Sequence, residues 1–170
     1  MGAPKIIQPR EFEALLRNAT PQTLPAFVLG GFTGLRMGEI MNLHWNDVDF
    51  KRNVIMVYGG KYSSSRMVSL PDAAAAWLCQ IAKDSGKVIN LPSLRMIYNQ
   101  MRQVWGETKC SATPHSLRYS AMAYRLELDG ETQTAGEFGF SIKLLVALFR
   151  RLVTKRHAKA WFAIFPPNKV

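Results

Sequence analysis

Cysteine is scarce in this chain. There are two among 170 residues, Cys79 and Cys110, with neither the dense even spacing of a disulfide framework nor the close pairs of a zinc site. Both are expected as buried or partly buried thiols. Long apolar runs are lacking as well. The strongest, Leu24–Phe32 and Ile142–Phe149, fall well short of the about 20 residues that a membrane-spanning helix needs. Met1–Arg10 has no apolar core of the kind a secretion signal carries. These absences lead to the expectation of a soluble, cytoplasmic protein with no membrane partner. No internal repeat and no low-complexity segment interrupts the chain. Acidic residues fail over one whole stretch. From Phe138 to Val170 there is no Asp or Glu, while Lys143, Arg150, Arg151, Lys155, Arg156, Lys159 and Lys169 are all basic.

That stretch dominates the charge balance, 22 Lys and Arg against 12 Asp and Glu, a net charge of +10. A basic field of this kind attracts polyanions, and nucleic acid is the usual one. A solvated basic face without a partner is the plainer alternative. Length and apolar content suit one domain, expected to run over residues 1–170, that buries enough surface to fold without staples.

Periodicity divides the chain into helices around one hairpin. Pro9–Asn18 starts with a first-turn proline and carries Glu11 and Glu13 near its positive end. Leu24–Thr33 is almost wholly apolar and is expected in the core, ended by Gly34. Arg36–Leu43 reads as the next helix. Asn53–Tyr58 and Arg66–Leu70 are rich in strand formers and are joined by a Gly- and Ser-rich turn, so they read as a hairpin. Helices are expected again over Asp72–Lys83, Pro92–Trp105, Pro114–Leu128 and Thr132–Phe138, with Pro92 and Pro114 as first-turn prolines. Ser141 and Thr154 are expected to cap Ile142–Val153 and Lys155–Phe165. The fold class is mostly α with a small antiparallel β-sheet.

Three segments carry chemistry. In Thr33-Gly-Leu-Arg-Met-Gly-Glu-Ile40, a tight glycine turn presents Arg36 at a helix start with Glu39 three residues on. A guanidinium fork so placed suits phosphate oxygens; a helix salt bridge to Glu39 is the structural alternative. Lys61 sits at the hairpin tip, where it is either solvated or poised to protonate a leaving oxygen. In Pro114-His-Ser-Leu-Arg-Tyr119, His115 and Arg118 share a helix face and could hold two oxygens of one phosphate near a helix N-terminus. A capping histidine and a salt-bridged arginine are the alternative there.

In that order and spacing, the three segments resemble the tyrosine recombinases, the phage-integrase family, over about Ile7–Phe165. The resemblance implies a recombinase catalytic-type domain acting in DNA recombination and integration on double-stranded DNA, with no cofactor and no metal. It implies that Arg36, Lys61, His115 and Arg118 surround the scissile phosphate, the arginines and histidine stabilising charge and the lysine protonating the departing 5′-oxygen. The family continues with Gly-His (or Gly-Trp) and a nucleophilic tyrosine nine residues after that second position. Here Gly139 is followed by Phe140, and the nucleophile's position holds Phe149. Phe149 has the ring without the oxygen, so covalent catalysis by that residue is excluded. Ile142, Leu145, Val146 and Phe149 also form one apolar helical stripe.

The expectation is therefore a DNA-binding domain that does not cleave. One alternative is an active recombinase using another tyrosine or a partner's. Of the chain's own, Tyr62 beside Lys61 is the foremost, and Tyr119 is about 100° of helix rotation away from Arg118. A second alternative is an interaction module without DNA affinity. Residues 154–170 are expected as a C-terminal helix and tail. Trp161 and Phe162 there are candidates for self-association in trans or for packing in cis. The family's separate N-terminal DNA clamp is expected to be absent, since only Met1–Gln8 precede the first helix.

Overall fold

The computed structural model describes residues 4–59 and 64–167. Nine α-helices surround one three-stranded antiparallel sheet among these residues, which agrees with the expected fold class. α1 spans Pro9–Asn18, with Pro9 in its first turn and the Gln8 N–H closed onto Glu11 Oε2 at 2.8 Å. Its apolar face, Phe12, Leu15 and Leu16, is buried.

α2, Leu24–Val28, runs directly into a wider π turn over Leu29–Thr33, and every residue of both is buried. The sequence reads as one helix; the widening reflects what packs there. A Cβ on Gly31 would meet the Phe12 ring at 2.3 Å, and one on Gly30 would press on Leu117 at 3.2 Å. The looser winding redirects backbone carbonyls, and Gly31 O accepts the Trp161 indole N–H at 3.0 Å. Gly34 then stops the helix in the left-handed region, φ 66°. α3 follows over Met37–Asn42.

A short turn of helix, Trp45–Asp47, leads into β1, Val48–Asp49, a strand too short to stand out in the sequence. β2, Val54–Val57, pairs with β1 on one edge and with β3, Arg66–Ser69, on the other, Val57 lying opposite Arg66. The tip of this hairpin, Lys61 and Tyr62 included, lies outside the described residues.

α4 covers Asp72–Cys79 and ends earlier than expected, at a turn in which Gln80, Ala82 and Lys83 are exposed and Ile81 alone leans on the core. Cys79 is consequently exposed rather than partly buried, while Cys110 is buried as expected and burial pushes its thiol pKa up. α5 spans Leu94–Glu107 with Ser93 as its cap, so Pro92 precedes the cap instead of occupying the first turn. α6, Pro114–Asp129, does start on its proline, behind a Thr113 cap. Gly130, at φ 83°, separates it from α7, Glu131–Phe138.

α8 covers Ile142–Phe149 behind the expected Ser141 cap. It stops four residues short of Val153, because Arg150 is extended and Arg151 takes φ 62°. α9, Lys155–Phe162, has the expected Thr154 cap and ends before Phe165, where Ile164 O accepts the Trp77 indole N–H at 2.8 Å.

Two apolar clusters result. The larger joins α1, α2, α4, α5, α6 and α9 with the inner face of the sheet. Trp161 of α9 is fully buried in it, stacked on Phe12 at 4.0 Å and on Tyr124 at 4.5 Å. α9 thus packs in cis, and self-association through Trp161 would require it to leave this place. The smaller cluster, Ala121, Met122, Ala123, Ala135, Phe138, Leu145 and Phe149, joins α6, α7 and α8. No helix among the described residues is long and apolar enough to cross a membrane.

Candidate phosphate-binding site

The start of α3, the start of α6 and the Gly139–Phe140 turn converge on one open cavity of about 320 Å³. Arg36, His115, Arg118 and Phe140 line it, together with Tyr98 and Tyr119. Among the described residues no acidic one does.

Arg36 is placed by Gly34. A side chain at 34 would collide with the Phe138 ring at 2.1 Å, and the left-handed φ adds to the penalty. Arg36 then sits in the extended cap position of α3, its N–H donated to Glu39 Oε2 at 2.8 Å. Its guanidinium is 58% exposed and only loosely paired with Glu39, at 3.5 Å. Glu39 is held far more closely by Arg66 of β3, whose two terminal nitrogens donate to the two carboxylate oxygens at 2.8 and 3.1 Å. Burial pushes the Glu39 carboxyl up. The Arg66 hydrogen bonds, the Arg36 N–H and the two cationic charges outweigh it and hold the pKa below its usual value.

Arg118 is 7% exposed. Its guanidinium donates to Gly34 O and, at 3.1 Å, to Phe138 O, and it lies over the rings of Phe138 and Phe140 at 5.4 and 5.9 Å. No carboxylate pairs with it among the described residues, contrary to the salt-bridged alternative. Burial, then the Arg36 charge, push its pKa down to about 10. A buried cation without a counter-ion is stabilised by any anion that enters beside it.

His115 is exposed and does not cap α6; Thr113 does, its hydroxyl accepting the Ser116 N–H at 3.4 Å. The His115 ring instead faces Tyr119 at 6.1 Å. Tyr119 reaches the cavity despite its rotation from Arg118, because a long phenol one step round a helix can still lean over the same opening. Its other neighbour is Phe149, at 5.6 Å, and Phe140 meets Phe149 at 6.5 Å. Phe149 itself is 1% exposed, part of the smaller apolar cluster. The structure thus brings Arg36, His115, Arg118 and Phe140 to one cavity and packs Phe149 behind it.

Arg66 and Tyr98 are the site residues that motif reading passes over, while Tyr119, weighed in the sequence as a substitute nucleophile turned away from Arg118, lines the same cavity. Arg66 carries the faint signal of a charged residue opening a short strand. Tyr98, in the middle of α5, carries none. Among the described residues, no three His, Cys, Asp or Glu side chains gather as a metal site requires.

A family model described as "Phage integrase family" matches residues 5–130. Tyrosine recombinase XerA of Thermococcus onnurineus (strain NA1) is 31% identical over 113 residues, covering 59% of this chain and 40% of that protein. This chain therefore spans less than half of that relative's length. The crystal structure of XerA recombinase superposes with TM-score 0.75 at 19% identity, over 94% of this chain and 64% of that one. The Tn1549 transposon integrase, solved in complex with a circular intermediate DNA, gives TM-score 0.68 at 17% identity, over 94% and 65%.

Proposed function

The chain belongs to the phage integrase family, and from that premise we propose that it is a tyrosine-recombinase catalytic-type domain that holds a DNA backbone phosphate but does not cleave beside it. The observation that carries this reading is the convergence on one cavity of Arg36, His115 and Arg118, the last without a carboxylate partner and the cavity without acidic lining among the described residues. Guanidinium and imidazole N–H groups there are donors for phosphate oxygens. Lys61, outside the described residues, is proposed to contact the same backbone phosphate. The exposed basic residues of α8, α9 and the turn between them, Lys143, Arg150, Arg151, Lys155, Arg156 and Lys159, are proposed to follow neighbouring phosphates.

Cleavage in this family's manner needs a tyrosine oxygen to attack phosphorus while the bond to the 5′-oxygen breaks. Phe149 brings no oxygen, and Phe140 presents a ring where the family has a hydrogen-bond donor. The test is fluorescence anisotropy with duplex DNA over a salt series, beside the Arg36→Ala/Arg118→Ala double variant. The expected result is binding that falls with log salt at a slope of about −0.9 per phosphate contacted, a weaker double variant and no adduct on a denaturing gel. Equal binding by both proteins would sink the reading.

One observation favours a second reading, that of an active enzyme. Tyr98 and Tyr119 both line the cavity, and Tyr119 lies beside Phe149. A denaturation-resistant protein–DNA adduct that disappears in Tyr119→Phe or Tyr98→Phe would establish it.

A further inference from the structure

Glu39 is a liability for a phosphate site. It stands three residues from Arg36 with one oxygen 3.5 Å from that guanidinium, and it is a carboxylate at neutral pH, its pKa held low. A carboxylate this near competes with phosphate for the same N–H donors. It does not close on Arg36 because its two oxygens are already taken by Arg66, at 2.8 and 3.1 Å. This fork-to-fork pair is 25% and 18% exposed, against 58% for Arg36. The more buried arginine thus holds the carboxylate, and the more exposed one faces the cavity.

We propose that Arg66 is a positioning residue that occupies Glu39 and so keeps the Arg36 guanidinium available for a phosphate. The proposal deepens the phosphate-site reading above and rests on it. It also gives the sheet a part in the site. Arg66 opens β3, so one two-pronged contact ties the loop end of the hairpin, where Val57 lies opposite Arg66, to α3, whose cap is Arg36. Without Arg66, Glu39 keeps its hold on the Arg36 N–H and closes the 3.5 Å gap to the side chain. Arg36 is then quenched by its own neighbour.

Anisotropy with a short random-sequence duplex at fixed moderate salt tests this, with thermal unfolding as a check on folding. Arg66→Met keeps the aliphatic stem and is expected to bind about tenfold more weakly. Adding Glu39→Gln removes the competing charge and should bring binding back to within about threefold of wild type. A residue that served only to brace the hairpin would not be rescued by deleting its partner as well. In the Arg36→Ala background, Arg66→Met should weaken binding by less than about twofold more, since its target is gone; a general loss of positive field would persist there. Arg66→Lys keeps the charge but not the fork and should lose about threefold. If Arg66→Met does not fold, Arg66→Lys with and without Glu39→Gln decides by the same rescue.

Wild-type binding by the Arg66 variants, or a loss that Glu39→Gln fails to recover, overturns the role of Arg66 alone. If Arg36→Ala itself binds like wild type, the phosphate-site reading falls and the positioning role falls with it.

Discussion

α8 and α9 are adjacent, equally long and both follow a hydroxyl cap, yet they are held in unlike ways. α9 is fixed by one large residue. Trp161 is fully buried, stacked between Phe12 and Tyr124, and hydrogen-bonded to Gly31 O. α8 rests on Leu145 and Phe149 in the smaller cluster, while Ile142 and Leu144 remain 43% and 47% exposed. The expected apolar stripe therefore holds only in part. The difference teaches what Phe149 now does. At the position proposed to match the family's nucleophile, this chain has one of the two anchors of a lightly held helix. Chemistry and packing make opposite demands there, since a nucleophile has to reach the opening and an anchor has to stay inside.

The largest effect that would break the comparison is at the stronger anchor. Trp161→Ala should cost about 3–5 kcal/mol and lower the whole thermal transition. If only α9 loosens, the two helices are held more alike than their burial indicates. Phe149→Ala should cost less, about 3 kcal/mol, and should act locally. Hydrogen exchange should speed up in α7 and α8 and stay slow in α1 and α9; uniform acceleration would contradict the division into two clusters.

Phe149→Tyr sharpens the point. An added hydroxyl in a 1% exposed site should cost about 1–3 kcal/mol if it stays buried without a partner, visible as a lower Tm. An unchanged Tm would mean that the hydroxyl finds a hydrogen-bond partner or solvent. That variant would then be the one to assay for DNA cleavage.

The smallest effect is at Glu39. Its folded pKa lies below the unfolded value, so the stability it contributes is present above the unfolded pKa, about 4.3, and is lost as pH falls through the folded one. Glu39→Gln should therefore lower stability modestly at neutral pH, where that contribution is present, and converge with wild type as pH falls below about 4, flattening the acid limb of a stability–pH curve.

The fold class was legible in the sequence, and so were most helix starts, because local chemistry sets them. Pro9 and Pro114 occupy first turns, Ser141 and Thr154 cap, and Gly34 and Gly130 stop. Helix ends were less legible. α8 stops at Phe149 because Arg151 adopts a left-handed conformation, which nothing in an Arg-Arg-Leu-Val run announces. The π turn depends on Phe12 and Trp161, remote in sequence, so no local window contains its cause. At the site, Arg36, His115 and Arg118 could be found because each stands in a compact motif. Arg66 could not, because its meaning comes from Glu39, 27 positions away.

The Gly31–Trp161 hydrogen bond bears on how the chain folds during synthesis. It joins residues 130 positions apart, and the Phe12 ring that Gly31 makes room for is stacked on the same indole. During synthesis α1 therefore waits for α9, which is made later. Until Trp161 emerges, Phe12 has no stacking partner and one apolar face of α1 is open to water or to a chaperone. Native contacts this distant in sequence slow folding through the cost of closing the loop. A ribosome stalled before α9 would hold a chain with most of its helices available and its main core unsealed.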